Sequence, residues 1–541
     1  MTACAADLLF TGGPVFLENK VAPTAPVAIK DGKIIAVGPG AADLAGPGTE
    51  HVSLRGRLLI PGFQDAHVHA VGGGLELGQC DLATITDLRG CLAAIGAYAR
   101  AHPEVPWITG GGWSLESFPG GLPTRELLDQ VVPDRPALLF NRDHHGAWVN
   151  SRALEVAGIT ARTADPPDGR IERDRAGRPS GMLQEGAIDL AAAFMPRPTE
   201  ADLDAALLRA QRLLHSLGIT GWQDALVGAG LGLPDNFAAY RRAALAGTLT
   251  ARVRGALWWN RDLGAEQIPE LLHRREHGRA GLFDPGTVKI MQDGIIENGT
   301  AGLLGPYHDC RGHATGNAGL SFIDPALLPG YVTELDRHGF QVHFHALGDR
   351  AVREALDAVA AARAANGPSG NRHQLAHLQV VHPDDVPRFA RLGAFANIQP
   401  LWACHEPQMD ELAIPMLGEE RAAHQYPFAS LQRSGAALAA GSDWPVTSAD
   451  PIAGIHVAVN RVAPGRPGKP FLPGQRLDLA TALTAYTEGS ARASHRDDTG
   501  VIRAGLQADV VVLDRDPFSG PAEDIAATKV AATYVAGTRV W

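Results

Sequence analysis

Pro61-Gly62-Phe63-Gln64-Asp65-Ala66-His67-Val68-His69 is the stretch on which the reading turns. It follows an apolar strand candidate at 58–60, and strand alternation puts His67 and His69 on one face. Two imidazoles at that spacing can converge on one divalent cation through neutral nitrogens. Two histidines at a strand end can equally make unrelated hydrogen bonds, so the pair alone decides nothing. Asp65 shares the face and is a candidate acceptor for a ligand histidine.

Outward from that stretch, strand candidates recur at 218–224, 251–257, 288–292, 340–345, 374–378, 394–399 and 436–442. Helical patterns lie between them, among others at 203–217, 350–365 and 384–392. With 58–60 as the first strand, this alternation implies a parallel sheet and fits an α/β (β/α)8 TIM barrel. A doubly wound sheet is the competing arrangement. The gap 72–198 is too long for one crossover. It holds a strand at 137–140, a helix start near Asn150 and a hairpin around 173–181, and reads as an insertion roofing the C-terminal face. The ends are β-rich: 6–10, 27–30 and 33–37 with a tight turn at Asp31-Gly32, then 508–513 and 529–535. We expect 1–59 plus 495–541 to form a composite β-sandwich domain and 60–494 the barrel, with 72–198 as its roof.

Three more barrel-strand candidates end in titratable residues. They are His343-Phe344-His345 before Ala346-Leu347-Gly348-Asp349, then His377, then Gly441-Ser442-Asp443-Trp444-Pro445. In a barrel the C-terminal strand ends open onto one face, so these residues would meet. Lys289 sits inside the apolar run Val288–Gln292, where an unpaired ammonium is costly to bury. It is either a snorkelling surface lysine or a lysine aimed at the site, deprotonated or carbamylated by CO2. His215, His273, His277 and His495 read as surface or core residues, and His382 and His405 are left unassigned.

The set PGFQDAHVH, KIMQDG, HFHALGDRA, AHLQVVHPDD, NIQP and AGSDWPV resembles the amidohydrolase superfamily, in particular its amidohydrolase 3 or YtcJ-like branch, which includes N-substituted formamide deformylases. Within the insertion, Asp143–Leu154 and Gly177–Glu185 are similar to recurring segments of that branch, so the likeness spans nearly the whole chain. It implies a TIM barrel with a composite β-sandwich. It also implies His67 and His69 as ligands of one metal, His345 and His377 of another, Lys289 as a carbamylated bridge and Asp443 as the catalytic aspartate and a further ligand. The implied metal is Zn2+, with Mn2+ or Co2+ as alternatives, in one or two ions. Two departures stand out. Asp293-Gly294 continues as Ile295-Ile296-Glu297 where Ser-Leu-Gly is common, and Ala376 precedes His377 where Glu is common.

That ligand set implies hydrolysis of a C–N bond in a small, apolar amide or N-substituted formamide. Metal-activated water attacks the carbonyl, and Asp443 shuttles its proton to the leaving nitrogen. His145 is a candidate for contacting the oxyanion, or else a hydrogen bond holding the roof. Trp113, Trp148 and Trp444 are candidate pocket residues, with Trp258, Trp259 and Trp402 behind them. Cyclic-amide opening, deamination and a non-catalytic small-molecule binder are the alternatives.

Composition sets the outer bounds. The 541 residues are 45% hydrophobic and 20% charged, with net charge −11, more than one core usually organises and unsuited to nucleic acid or an anionic membrane. No apolar run approaches the roughly 20 residues of a membrane helix. Five scattered cysteines (Cys4, Cys80, Cys91, Cys310 and Cys404) form no CxxC pair, arguing against a disulfide framework or thiolate zinc site. The N-terminus lacks a secretory h-region, so a cytoplasmic protein is expected. There is no GxSxG elbow, and Pro470 and Leu233 break the nearest phosphate-loop and dinucleotide patterns. A small-molecule partner is expected, and a homo-oligomer is left open.

Overall fold

The computed structural model describes residues 5–541, so Cys4 lies outside the described residues. Its centre is an eight-stranded parallel sheet in strict sequence order. The strands are β1 (Phe63–Val68), β2 (Ile219–Val227), β3 (Arg252–Trp258), β4 (Phe283–Met291), β5 (Gln341–Ala346), β6 (Gln374–His377), β7 (Phe395–Ile398) and β8 (Ala437–Ala440). Strands covered on both faces read as continuous apolar runs, and all nine residues of β2 are buried. The barrel closes where β8 meets β1: the Asp443 N–H donates to the His67 carbonyl at 2.7 Å, and the His69 N–H to the Trp444 carbonyl at 2.8 Å.

Helices cover the outside. Glu200–Ser216 starts at a reciprocal capping box between Thr199 and Asp202 and turns Leu203, Leu207, Ala210 and Leu214 onto the sheet. The barrel interior departs from the usual aliphatic layers. Gln64, Thr220, Gln223, His343, Gln374 and Asn397 are all buried there. They satisfy one another, for instance Gln374 to Gln223 at 2.9 Å and Asn397 to Gln374 at 2.8 Å.

The first barrel strand differs from expectation. Residues Leu59–Pro61 do not belong to the barrel; they pair antiparallel with Val510–Leu513 in a six-stranded sheet. Pro61 has no N–H to continue a ladder. The chain changes sheets at Gly62, whose N–H donates to Asp509 before Phe63 bonds Gly218. A four-stranded sheet carries Leu8–Thr11, Val27–Lys30, Lys33–Val37 and Glu50–Ser53. Phe10, Val27 and Ile29 of this sheet share one buried cluster with Val15, Val510 and Tyr534 of the other, so the two sheets pack face to face.

Between β1 and β2 the chain builds a separate six-stranded sheet from Cys80–Asp81 to Pro179–Glu185. Its strands include Ala137–Asn141 and the hairpin Gly169–Arg173/Pro179–Glu185, and Asn150 caps the helix Ser151–Val156 through its side chain. The described cysteines Cys80, Cys91, Cys310 and Cys404 are free thiols. Among the described residues no helix is long and apolar enough to cross a membrane.

Candidate metal centre

The strand ends converge as barrel geometry requires. His67 closes β1, Lys289 lies on β4, His345 on β5, His377 ends β6, and Asp443 follows β8. All five are buried, and His69, just past β1, is half-buried. Ligand atoms of His67, His69 and Asp443 lie within 4.8 Å of one another. Asp443 Oδ1 stands 3.2 Å from His67 Nε2 and 3.1 Å from His69 Nε2, and Oδ2 is 3.8 Å from His377 Nδ1. Lys289 Nζ is 3.5 Å from His67 Nε2. The His377 ring lies 4.4 Å from that of His345 and 4.7 Å from that of His67, centroid to centroid.

Hydrogen bonding does not account for this cluster. Asp443 Oδ1 and both ring nitrogens of His377 are buried without a hydrogen-bond partner. Groups so placed each cost about 1–3 kcal/mol when nothing satisfies them. Nitrogen and oxygen donors turned inward on a shared point are what a divalent cation of zinc type takes, so the residues fit a metal. Backbone strain sits here too, since His377 (φ 78°) and Asp443 (φ 58°) are left-handed without being glycine.

The electrostatics agree. Burial pushes Asp443 up, but His69, His377 and Lys289 outweigh it and hold the carboxyl at about 2. Burial pulls His67, His345 and His377 far below the usual imidazole value, helped by their neighbours' charges, so they are neutral and can ligate. Burial also lowers Lys289 to about 7, leaving a substantial free-amine fraction near neutrality.

Residues outside the metal cluster complete the site. His343 Nε2 lies 2.9 Å from His67 Nδ1, and the Gln223 amide meets the other His343 nitrogen. Asp65 does not meet a histidine ring, as its position had suggested. Its carboxylate accepts from the His67 and Ser442 backbone N–H groups at 3.0 Å and from the Ser442 hydroxyl at 2.5 Å, locking the β1–β8 seam. His145 donates Nδ1–H to both Glu185 oxygens at 2.9 and 3.0 Å, and its ring lies 5.3 Å from that of His345. Burial would lower His145, but the Glu185 carboxylate reverses this and holds it at about 9, an imidazolium at neutral pH. Glu185 is steadied in turn by the Thr300 hydroxyl at 2.7 Å.

A cleft of about 660 Å³ opens over these groups, between barrel and roof. Leu226, Leu231, Leu233, Trp258, Ile295 and Trp402 supply an apolar wall. His144 and Glu76 line another side, 3.2 Å apart. Burial drives Glu76 up to about 8 and His144 down to about 3, so the pair is uncharged at neutral pH. Trp113, Trp148 and Trp444 do not line the cleft. Trp113 and Trp148 are fully buried in the roof's own core, where their indoles donate to the Leu139 and Thr124 carbonyls at 2.8 Å. Trp444 packs its ring edge against Gly73, where a Cβ would fall 2.5 Å away. His215 is a core residue bonded to the Ile219 carbonyl and Thr250; His382 and His405 face Asp384 and Asp410 away from the cleft.

His144, Glu76, Glu185 and Gln223 were not singled out by the sequence reading, and His343 was named only within the His343-Phe344-His345 strand end, with no role of its own. For His343 a signal existed, since it precedes His345 by two and so shares its strand face. For Glu185 and Glu76 none did, because their partners lie elsewhere in the chain.

Residues 50–541 match the amidohydrolase family. The chain is 31% identical to YtcJ of Bacillus subtilis (strain 168), over 92% of this chain and 91% of that protein. It is 29% identical to N-substituted formamide deformylase of Arthrobacter pascens, over 94% of each. An uncharacterized metal-dependent hydrolase from Pyrococcus furiosus superimposes with a TM-score of 0.70 at 25% identity, covering 94% of this chain and 99% of that one. This chain belongs to the amidohydrolase family.

Proposed function

We propose that this amidohydrolase-family chain is a metal-dependent hydrolase of small, uncharged amides, with N-substituted formamides bearing an apolar N-substituent as its substrate class. One observation carries the reading: unpartnered donors of His377 and Asp443 converge with His67 and His69 at the floor of an apolar-walled cleft. The similarity to a formamide deformylase supports the choice of substrate class.

His67, His69 and Asp443 would hold one cation, with His345, His377 and Lys289 placed around a second position. A divalent ion bound there supplies an activated water near neutral pH and polarises the substrate carbonyl. Asp443, ionised at neutral pH, accepts the attacking water's proton and returns it to the leaving nitrogen. His145, with Nδ1 engaged by Glu185, keeps Nε2–H to donate to the oxygen on which negative charge develops. The apolar wall excludes water and receives the N-substituent. Lys289 and the histidines are the basic residues on the lining, and no arginine faces the cleft among the described residues, which suits a neutral substrate better than a carboxylate.

The test is to strip the purified protein with chelator, reload it with Zn2+, Mn2+ or Co2+, and assay N-substituted formamides, simple amides, cyclic amides and aminopurines. Formamide or amide hydrolysis that vanishes on stripping and returns on reloading is expected. Turnover that ignores the metal, or is confined to cyclic amides or deamination, overturns the proposal.

A further inference from the structure

Opposite the metal centre, at the N-terminal ends of the barrel strands, a second cleft of about 1260 Å³ is lined by Arg254, Arg275, Arg279, Asn371 and His495, with Asp284 and Glu276 at its side. Arg254 lies near the start of β3, Asp284 near the start of β4, and Asn371 just ahead of β6. Barrel enzymes place their chemistry at the other face, so the arginines here serve no step of the hydrolysis.

Charge at this cleft is unbalanced. Asp284 is shared by two guanidiniums, Arg254 at 2.7 Å and Arg279 at 3.0 Å. Arg275 makes its hydrogen bond to the His338 carbonyl at 2.8 Å and lies over the Phe340 ring at 4.2 Å, neither of which neutralises it. Behind the wall, Arg496 donates to the Leu282 carbonyl at 3.1 Å. On the lining, three guanidiniums, Arg254, Arg275 and Arg279, therefore face two carboxylates, Asp284 and Glu276, while Arg496 has Asp498 and Asp509 beside it as well as Asp284. Arg372, also nearby, is neutralised by Asp497 at 2.8 Å. The crowding registers on the arginines: burial, then Arg496 and Arg279, bring Arg254 down to about 10 against the pull of Asp284, and Arg275 is lowered by burial and Arg279. His495 falls to about 4 through burial and Arg254, so it stands neutral and contributes no charge. In a chain of net charge −11 this is a local positive field at a concave surface.

The geometry is permissive as well. Gly286, Gly339 and Gly370 line the cleft, and a Cβ on Gly286 would fall 2.6 Å from the Arg254 guanidinium. Glycine there lets that planar group lie flat against the backbone. Nothing lies within 4 Å of where a Cβ on Gly370 would project, so the mouth is open. Guanidinium forks with unspent N–H groups bind tetrahedral oxyanions well.

We propose that this N-terminal cleft is a binding site for a phosphate-type oxyanion, held by Arg254, Arg275 and Arg279, separate from the hydrolytic centre. Inorganic phosphate, pyrophosphate and a phosphomonoester share this chemistry, and the experiment separates them. Isothermal titration of the metal-loaded full-length protein, in chloride buffer at constant ionic strength, would use inorganic phosphate, pyrophosphate and glycerol phosphate in turn. Saturable binding of at least one is expected, and the tightest of the three identifies the source. Arg275→Gln and Arg279→Gln should each weaken it about tenfold, the size expected for one lost charge-assisted bond. Arg279 is exposed, so its substitution leaves the core untouched and keeps the test readable if Arg275→Gln misfolds. Asp443→Asn should bind the anion as wild type does. Absence of saturable binding overturns the proposal. So does binding that survives both arginine substitutions, or binding lost in Asp443→Asn, which would place the anion on the catalytic face.

Discussion

The backbone N–H of Asp443 donates to the carbonyl oxygen of His67 at 2.7 Å. The residue after the last barrel strand is thereby tied to the end of the first, and the seam that closes the barrel is also the floor of the site. This hydrogen bond holds Asp443 in its left-handed conformation (φ 58°), which aims Oδ1 between His67 and His69. A non-glycine residue in that region costs about 1–3 kcal/mol, sustained only where surrounding contacts over-determine it. Asp65 supplies those contacts by bonding His67 and Ser442 together.

Asp443→Asn should therefore preserve the seam, since its backbone is unchanged, and remove the proton acceptor. We expect turnover to fall by about 10²–10⁴-fold, the usual contribution of a positioned general base. Metal content, read by elemental mass spectrometry on the same samples, should stay near wild type. Wild-type kcat in this variant would remove Asp443 from the proton path.

His343 and Gln223 make a different prediction. They touch neither cleft nor substrate, and act on His67 through its Nδ1. Loss of such a supporting bond usually costs about 10–100-fold in metal affinity. His343→Ala should show that loss in a competitive chelator titration, with activity restored by excess metal. Unaltered affinity would mean that the surrounding packing alone orients the His67 ring.

Lys289 separates one-metal from two-metal chemistry. With its ammonium brought down to about 7 by burial, a good fraction of free amine is present at neutral pH, the form that reacts with CO2. Elemental mass spectrometry on chelator-free wild type beside Lys289→Ala should show about two metals falling to one or none. One metal in both proteins would exclude Lys289 as a bridge.

How far these residues can be read without coordinates depends on the reach of the physical signal. His67, His345, His377 and Asp443 sit at the ends of apolar strands, and one barrel places all such ends together, so a local pattern sufficed. Leu59–Pro61 was misplaced because a short apolar run suits either sheet, and only its pairing with Val510–Leu513 decides. Trp113 and Trp148 were misread because a buried indole satisfied by a backbone carbonyl looks, in sequence, like one facing a ligand. The Glu185–His145 and Glu76–His144 pairs depend on how the roof folds over the barrel, which no local periodicity encodes.

Stability towards acid should depend on a buried pair remote from the metal centre, behind the Asn371 wall of the second cleft. Asp336 accepts from His373 Nε2–H at 2.9 Å, Asn366 at 2.8 Å, Asn371 at 2.6 Å and Ser369 at 2.5 Å. His373 Nδ1 accepts from the Val342 N–H at 3.0 Å, which leaves Nε2 as the protonated nitrogen and pins the pair to the start of β5. Burial alone would raise Asp336; these donors reverse that and hold it far below the ordinary carboxylate value. A carboxyl depressed in the folded state stabilises fully above its unfolded pKa of about 3.9, and loses that contribution as pH falls towards the folded value. Asp336→Asn removes the charge and turns an amide N–H₂ towards donors. At pH 7 we expect it to cost about 1–3 kcal/mol, read as a lower urea midpoint. The gap between variant and wild type should narrow below about pH 4, where the wild-type carboxylate begins to lose its advantage. A gap that stays constant from pH 7 to pH 3 would show that the substitution acts through packing alone.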